Sequence, residues 1–220
     1  MQSFLALCRC ISSHACAVIL AGALLCSMAG SHVAAATLSS AVQAKVEAAT
    51  FEVVALKPVD DPLTYEKSLP LDLLPYRQRI DKYNSLGTAF AIGGGRYVTA
   101  AHVFGFLIGG LWGEPLLRDA AGNVYPIAQI EKYSAQEDFV VFTLAHEPAH
   151  APSLQANTKP VLNAPVYAAG NALGEGVVIR DGLYTSDTPE DENGRWKWMR
   201  FSAAASPATA AVRCWMIQAR

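Results

Sequence analysis

The chain of 220 residues is 52% hydrophobic and 16% charged, which excludes intrinsic disorder over most of its length and fits one sizeable domain or two small lobes. Its formal net charge of −2 gives no basic footprint for nucleic acid and no polybasic membrane anchor. Four of the five cysteines precede residue 30 and the fifth is Cys214, which excludes a disulfide core or a cysteine zinc site in the body of the chain.

Residues 1–36 are predicted to be a signal peptide. Arg9 precedes the apolar run Ala15–Leu25, and Ala34–Ala36 supply the small residues that a signal peptidase reads. The apolar run is shorter than the roughly 20 residues of a spanning helix. An uncleaved anchor is an alternative, and so is lipidation at Cys26, although the bulky leucine before that cysteine disfavours it. We therefore expect an exported protein, periplasmic or secreted, without stable membrane insertion after cleavage.

Residues 37–83 are predicted to form an N-terminal extension. Leu38–Ala49 has a weak helical pattern, and Phe51–Leu56 resembles a strand. Residues 57–84 carry four prolines and many charges, a pattern that predicts an extended segment wrapping a domain surface.

From residue 84 onward, the chain is a series of short strand signals separated by turn residues. The segments rich in β-branched and aromatic residues are Thr88–Ile92, Arg96–Thr99, Val124–Ile127, Phe139–Leu144, Val166–Ala169, Gly176–Arg180 and Trp196–Phe201. The acidic stretch Asp187–Gly194 predicts an exposed hairpin loop between the last two. Short strands at this spacing indicate an all-β fold, a barrel or a sandwich.

One histidine and one aspartate stand in informative positions. His102 follows the strand signal that ends at Thr99, with small residues around it, and Asp138 immediately precedes the buried-strand signal Phe139–Leu144. Each residue also has a purely structural interpretation, His102 as a partly buried core residue and Asp138 as a turn cap. Functionally, the carboxylate could accept the imidazole N–H and stabilise the imidazolium that forms during general-base catalysis.

These segments resemble the trypsin-like (chymotrypsin-fold, S1-type) bacterial serine proteases, in particular the HtrA-like branch. Ser85–Ile92 followed by Tyr97–Val103 is similar to the start of the first barrel, and Thr99-Ala-Ala-His102 is the catalytic-histidine motif of the family. Glu137–Val141 is similar to the segment that carries the catalytic aspartate, and Val166–Gly174 to the opening of the second barrel. The likeness covers about residues 84–207. It implies two β-barrels with the active site in the cleft between them.

Two other motifs are weaker. His146-Glu-Pro-Ala-His150 matches the H-E-x-x-H zinc-protease pattern, but Pro148 would disrupt the helix that must present both histidines. We expect these histidines to lie in a solvated connection between the barrels. The glycines of Gly170–Gly176 could suggest a phosphate loop, but no lysine follows in the required place, so we expect a turn.

The family pattern breaks off after Pro207. There the resemblance requires Gly-Asn-Ser-Gly-Gly-Pro, which carries the nucleophile and the oxyanion-hole amides, whereas residues 208–220 are unrelated. Back-translated and read one nucleotide earlier, this tail permits that motif, with Ser in the place of Ala210. The codons from Cys214 to Ile217 then give Leu-Asp-Asp without choice. We expect a frameshifted, truncated C-terminal part; an unrelated, alanine-rich natural terminus is the alternative.

The sequence therefore predicts an all-β, chymotrypsin-like double β-barrel whose second barrel is incomplete. The expected divisions are a first barrel at 84–158, a partial second barrel at 159–207 and an aberrant tail at 208–220. The resemblance implies a serine endopeptidase by descent, with His102 and Asp138 as catalytic residues and the serine missing. A catalytically dead peptide-binding homologue and a nonfunctional pseudogene product are the alternatives. Polypeptide substrates are the expected partners, without nucleic acid, organic cofactor or metal.

Overall fold

The computed structural model describes residues 38–58, 66–67, 70–105, 113–149, 152–171, 176–189, 192 and 197–204. All of them belong to one unit, Leu38–Arg220. The predicted signal peptide, the tail 208–220 and Ala210 within it lie outside the described residues. Within the described ranges, no helix combines the length and the apolarity that a membrane crossing requires.

The first described elements are a capped helix and the strand that follows it directly. Helix α1 spans Ser40–Ala49, and the Ser39 hydroxyl accepts a hydrogen bond from the Val42 N–H at 3.3 Å, as N-cap residues do. Strand β1 spans Thr50–Leu56 and is buried except at its last residue. The Thr50 hydroxyl donates to the Val46 carbonyl at 2.6 Å, so the helix passes into the strand without an intervening loop.

The described part of the segment after β1 includes helical turns, which the predicted extended wrap did not. It contains a 3₁₀ turn at Leu71–Leu73 and a short helix, α2, at Tyr76–Ile80. Pro75 occupies the N-cap of α2, where its missing N–H costs nothing. A helix of five residues is too short to leave a 3.6-residue periodicity in the sequence, so the prolines dominate the pattern.

Six antiparallel strands close into a barrel in the order β1-β2-β3-β6-β5-β4. The strands after β1 are β2 at Tyr83–Gly93, β3 at Arg96–Thr99, β4 at Leu116–Arg118, β5 at Val124–Ser134 and β6 at Phe139–Leu144. Strand β1 pairs with both β2 and β4. The barrel thus begins inside the segment that the sequence assigns to an N-terminal extension, because without β1 the strands β2 and β4 would each leave an unpaired edge.

Aromatic side chains fill the barrel interior. The Tyr97 ring meets Phe51 edge-on, with centroids 5.3 Å apart, and stacks on Phe142 at 5.9 Å. Phe104, from the turn that follows β3, lies 4.9 Å from the Phe142 ring. Leu117 from the short strand β4 is fully buried in the same core. This packing fixes the turn after β3 against the barrel.

After the barrel, three further strands form an antiparallel sheet in the order β7-β8-β9. Its strands are β7 at Pro165–Gly170, β8 at Val178–Pro189 and β9 at Lys197–Phe201. Strand β8 extends to Pro189, so the first three residues of the predicted acidic loop are paired with β9. The Asn171 N–H donates to the Thr88 hydroxyl at 3.0 Å and joins this sheet to the barrel. A closed barrel with a partial second sheet confirms the predicted all-β class.

Candidate active site

His102 lies on a short turn that the barrel core holds in place. Strand β3 ends at Thr99, and a 3₁₀ turn spans Ala101–Phe104. Val103 and Phe104 of this turn are buried, whereas the His102 side chain is 53% exposed. Gly105 ends the turn with a φ of 65°, a conformation that glycine adopts without strain. The small and apolar residues around the histidine thus anchor the backbone and leave the ring at the surface.

Asp138 lies at the start of β6, beside the end of β3. Thr99 of β3 pairs with Val140 of β6, so two residues distant in the chain meet at one end of the barrel. The Asp138 backbone has a φ of 54°, in the left-handed region that aspartate and asparagine tolerate better than most residues. Its side chain is 15% exposed. The turn therefore aims a largely buried carboxylate at the surface histidine.

The structure brings His102 and Asp138 into direct contact. Atom Nδ1 of His102 lies 2.8 Å from Oδ2 and 3.0 Å from Oδ1 of Asp138, and the His102 backbone N–H donates to Oδ1 at 3.0 Å. A carboxylate only accepts hydrogen bonds, so Nδ1 carries the proton and the lone pair lies on Nε2. None of the described residues forms a hydrogen bond with Nε2 of His102. This arrangement can accept a proton at Nε2 and stabilise the resulting imidazolium.

A second charged cluster, which the sequence did not single out, lies between β1, β4 and the segment before β2. Arg118 donates to Oε2 of Glu52 from Nε at 2.9 Å and from a terminal nitrogen at 2.7 Å, and to Asp81 at 2.7 Å. Burial opposes ionisation of Asp81, but the Tyr83 N–H and Arg118 outweigh it and lower its pKa. The sequence signal that could have found this cluster is a glutamate within the otherwise apolar β1, because a buried charge requires a partner.

Among the described residues, neither the segment 146–150 nor the glycine-rich segment 170–176 is arranged as a catalytic or binding motif. Residues 145–149 form bends and a turn rather than a helix, and His146 and Glu147 are exposed. His150 lies outside the described residues. In the glycine-rich segment, the Asn171 side chain accepts a hydrogen bond from the Gly176 N–H at 3.0 Å, and residues 172–175 lie outside the described residues.

No family model matches the chain, and no curated protein matches its sequence. Solved structures do match. "HtrA-type protease AlgW with decapeptide" is 18% identical with a TM-score of 0.57, over 78% of this chain and 54% of that one. A variant of the HtrA-type protease AlgW with tripeptide is 14% identical with a TM-score of 0.53, over 78% and 48%. The chain thus spans about half the length of these structures. The likeness shows the fold, and it confirms the predicted chymotrypsin-like architecture.

Proposed function

We propose that this chain descends from an exported trypsin-like serine endopeptidase of the HtrA-like branch, with polypeptide substrates. The observation that carries the proposal is the contact at 2.8 Å between Nδ1 of His102 and the Asp138 carboxylate, in a histidine side chain that is 53% exposed. The fold likeness to two HtrA-type protease structures, each with a peptide, supports it. Export rests on the predicted signal peptide at 1–36.

In this proposal His102 is the general base and Asp138 orients it. Atom Nε2 takes the proton of the attacking serine hydroxyl and later gives it to the leaving amine. Asp138 holds the proton on Nδ1 and stabilises the imidazolium between these two transfers. Its second bond, to the His102 backbone N–H, fixes the carboxylate relative to the ring.

The proposal includes a shift of the reading frame near codon 207. Read one nucleotide earlier, the codons of 208–213 permit Gly-Asn-Ser-Gly-Gly-Pro, and Leu-Asp-Asp follows without choice. Ala210 stands in the place of the serine, and an alanine methyl group cannot attack a carbonyl. The amides of the oxyanion hole belong to the same motif, each worth about 2.7–4 kcal/mol in the transition state. The 220-residue chain is therefore inactive in this proposal.

Two alternatives to this proposal predict different DNA sequences at and beyond codon 207. A catalytically dead homologue that binds peptides would have an intact frame that ends at Arg220. A nonfunctional pseudogene product would have downstream DNA that continues the second barrel in the other frame. Sequencing through codon 207 and beyond separates these cases.

The direct test compares the 220-residue chain with the product of a gene restored by one nucleotide near codon 207. We expect the restored protein to hydrolyse casein and to react with a serine-directed fluorophosphonate, and the 220-residue chain to do neither. His102→Ala in the restored protein should abolish both signals. Labelling of the 220-residue chain would identify a different nucleophile and overturn the assignment of the tail.

A further inference from the structure

Glu52 combines deep burial with an oxygen that has no partner. Its side chain is 3% exposed, and Arg118 bonds only to Oε2. The other oxygen, Oε1, is buried and has no hydrogen-bond partner among the described residues. A buried acceptor that lacks a donor loses its hydration without compensation, so it would gain from any donor that reaches it.

Glu52 lines a pocket of about 390 Å³ that His102 also lines. This volume is in the range of small-molecule sites. Two carboxylates, Glu52 and Asp81, and three cations, Lys57, Arg77 and Arg118, lie along it, so the lining carries an excess of one positive charge. Lys57 donates to the carbonyls of Gln78 and Asp81, and its third proton remains available. The pocket therefore offers one acceptor that lacks a donor and one strong donor, in a lining with an excess of one positive charge.

We propose that this pocket is a substrate subsite that binds a primary carboxamide, the side chain of a glutamine or asparagine. The amide NH₂ donates to Oε1 of Glu52, and the amide oxygen accepts from Lys57. Oε1 is shielded from solvent, so this binding requires a lining side chain to move aside. The interpretation of this pocket as a substrate subsite rests on the proposed protease function, because His102 lines the pocket.

The unpaired oxygen and the cations of the pocket favour an amide over its competitors. A substrate carboxylate has no proton to donate to Oε1 of Glu52, and an ammonium group would face Lys57, Arg77 and Arg118. An aliphatic side chain of the same length would leave Oε1 unpaired. The amide alone satisfies both ends of the site.

The test measures binding to the 220-residue chain and needs no catalysis. The probes are the N-acetyl N-methylamides of glutamine, glutamate, lysine and norleucine, so that only the glutamine probe carries a primary carboxamide. They are titrated while the NMR signal of the His102 ring is followed. That signal is assigned by its loss in His102→Ala. We expect the glutamine probe to bind about tenfold more tightly than the other three.

Glu52→Gln should reverse the order of two probes. Arg118 donates twice at the Oε2 position, so the new amide places its oxygen there and its NH₂ in the place of Oε1. The pocket then presents a donor, and the glutamate probe should bind better than the glutamine probe. Glu131→Gln is the matched control, because Glu131 pairs with Arg96 at 2.8 Å, apart from the residues that line the pocket, and should leave the order unchanged.

Ser85→Leu provides a second variant that leaves the ion pairs intact and narrows the pocket. It should weaken binding of the glutamine probe about tenfold. Equal binding of all four probes, no binding of any, or an unchanged order in Glu52→Gln would overturn the proposal and mean that water alone serves Oε1. If the probes fail to bind as expected, only the subsite proposal is overturned and the proposed protease function stands. If the frame-restored protein binds the glutamine probe but hydrolyses no casein, only the proposed protease function is overturned.

Discussion

The backbone of Asp138 matters as much as its carboxylate. A φ of 54° restricts the position to residues that tolerate the left-handed region, and Oδ1 accepts from both the backbone and the ring of His102. The residue therefore combines a conformational role in the turn before β6 with an electrostatic role towards His102. Substitutions can separate the two.

Asp138→Asn should keep the turn and change the tautomer of His102. Asparagine adopts the same φ, and its oxygen can still accept from the His102 backbone N–H. Its NH₂ group then donates to Nδ1 and moves the ring proton to Nε2. Nitrogen-15 NMR of the 220-residue chain should show this change, and kcat of the frame-restored protein should fall about 10⁴-fold.

Asp138→Ala is the comparison that removes both roles. Alanine is strained at this φ and bonds to neither group, so the free energy of unfolding should fall by about 1–3 kcal/mol, whereas Asp138→Asn should leave it nearly unchanged. Retention of the proton on Nδ1 in Asp138→Asn would contradict the orienting role.

Tyr97 gives the barrel a sensitivity to alkaline pH. Burial, with a smaller contribution from Glu147, raises the pKa of Tyr97 to about 12, from 10.0. The unfolded chain thus releases this proton first, so the stabilisation is complete below pH 10.0 and is lost as pH rises towards about 12. Between these limits the free energy of unfolding should fall by about 2–3 kcal/mol more than in Tyr97→Phe. Equal slopes in the two proteins, measured by urea unfolding, would contradict this assignment.

At the level of the elements, the second sheet depends on one close approach of the backbone. A Cβ atom at Gly182 of β8 would collide with the backbone of Ala203, just after β9. The Ser202 N–H donates to the Leu183 carbonyl at 3.0 Å beside this point, so the chain cannot move away without loss of a hydrogen bond. Glycine allows the segment after β9 to fold back onto β8.

Gly182→Ala should separate the segment after β9 from β8. We expect a loss of about 1–3 kcal/mol, the usual cost of overpacking. Hydrogen exchange should accelerate at the amides of Leu183 and Ser202 and remain slow in the barrel. Thr185→Ala, at an exposed position of the same strand, is the control. Unchanged exchange at both amides would show that the backbone has room to adjust.

Sequence patterns predicted the elements that have a strong signal and missed those that do not. The β-branched and aromatic residues of Phe139–Leu144 identified β6, whereas the three residues of β4 and the five of α2 are too short for any periodicity. Strand β1 was recognised as a strand but not as part of the barrel, since pairing partners are not encoded locally. His102 and Asp138 were found because each flanks a strong strand signal; the cluster of Arg118 with Glu52 depends on pairing across β1 and β4.

At the scale of the whole molecule, the barrel and the second sheet meet through Thr88. Its hydroxyl accepts from the Asn171 N–H at 3.0 Å, and its carbonyl accepts from the Thr99 hydroxyl at 2.6 Å. Thr88 is fully buried, so neither bond is exchanged easily for water. One residue of β2 thus connects the strand that precedes His102 to the loop that leaves β7.

Thr88→Val should weaken this connection selectively. Valine keeps the volume but cannot accept from the Asn171 N–H, and an unsatisfied buried amide costs about 1–3 kcal/mol. Hydrogen exchange should accelerate at Asn171 more than in β3 and β6. Thr99→Val, which removes a hydrogen bond within the barrel, should accelerate hydrogen exchange more in β3 and β6 than at Asn171. Equal effects of the two variants on Asn171 would contradict this role of Thr88.

The position of the closed barrel within the chain determines which mutations in the gene can disrupt it. His102, Asp138 and all six strands that hold them are complete by Leu144, so a lesion that arises further along the gene leaves this half intact. Under the proposed frameshift, loss of the nucleophile would relax selection on the chemistry of His102 before it relaxes selection on the packing of the barrel. In that case the contact between His102 and Asp138 would outlast the reaction that it served, because the packing of the barrel holds both residues.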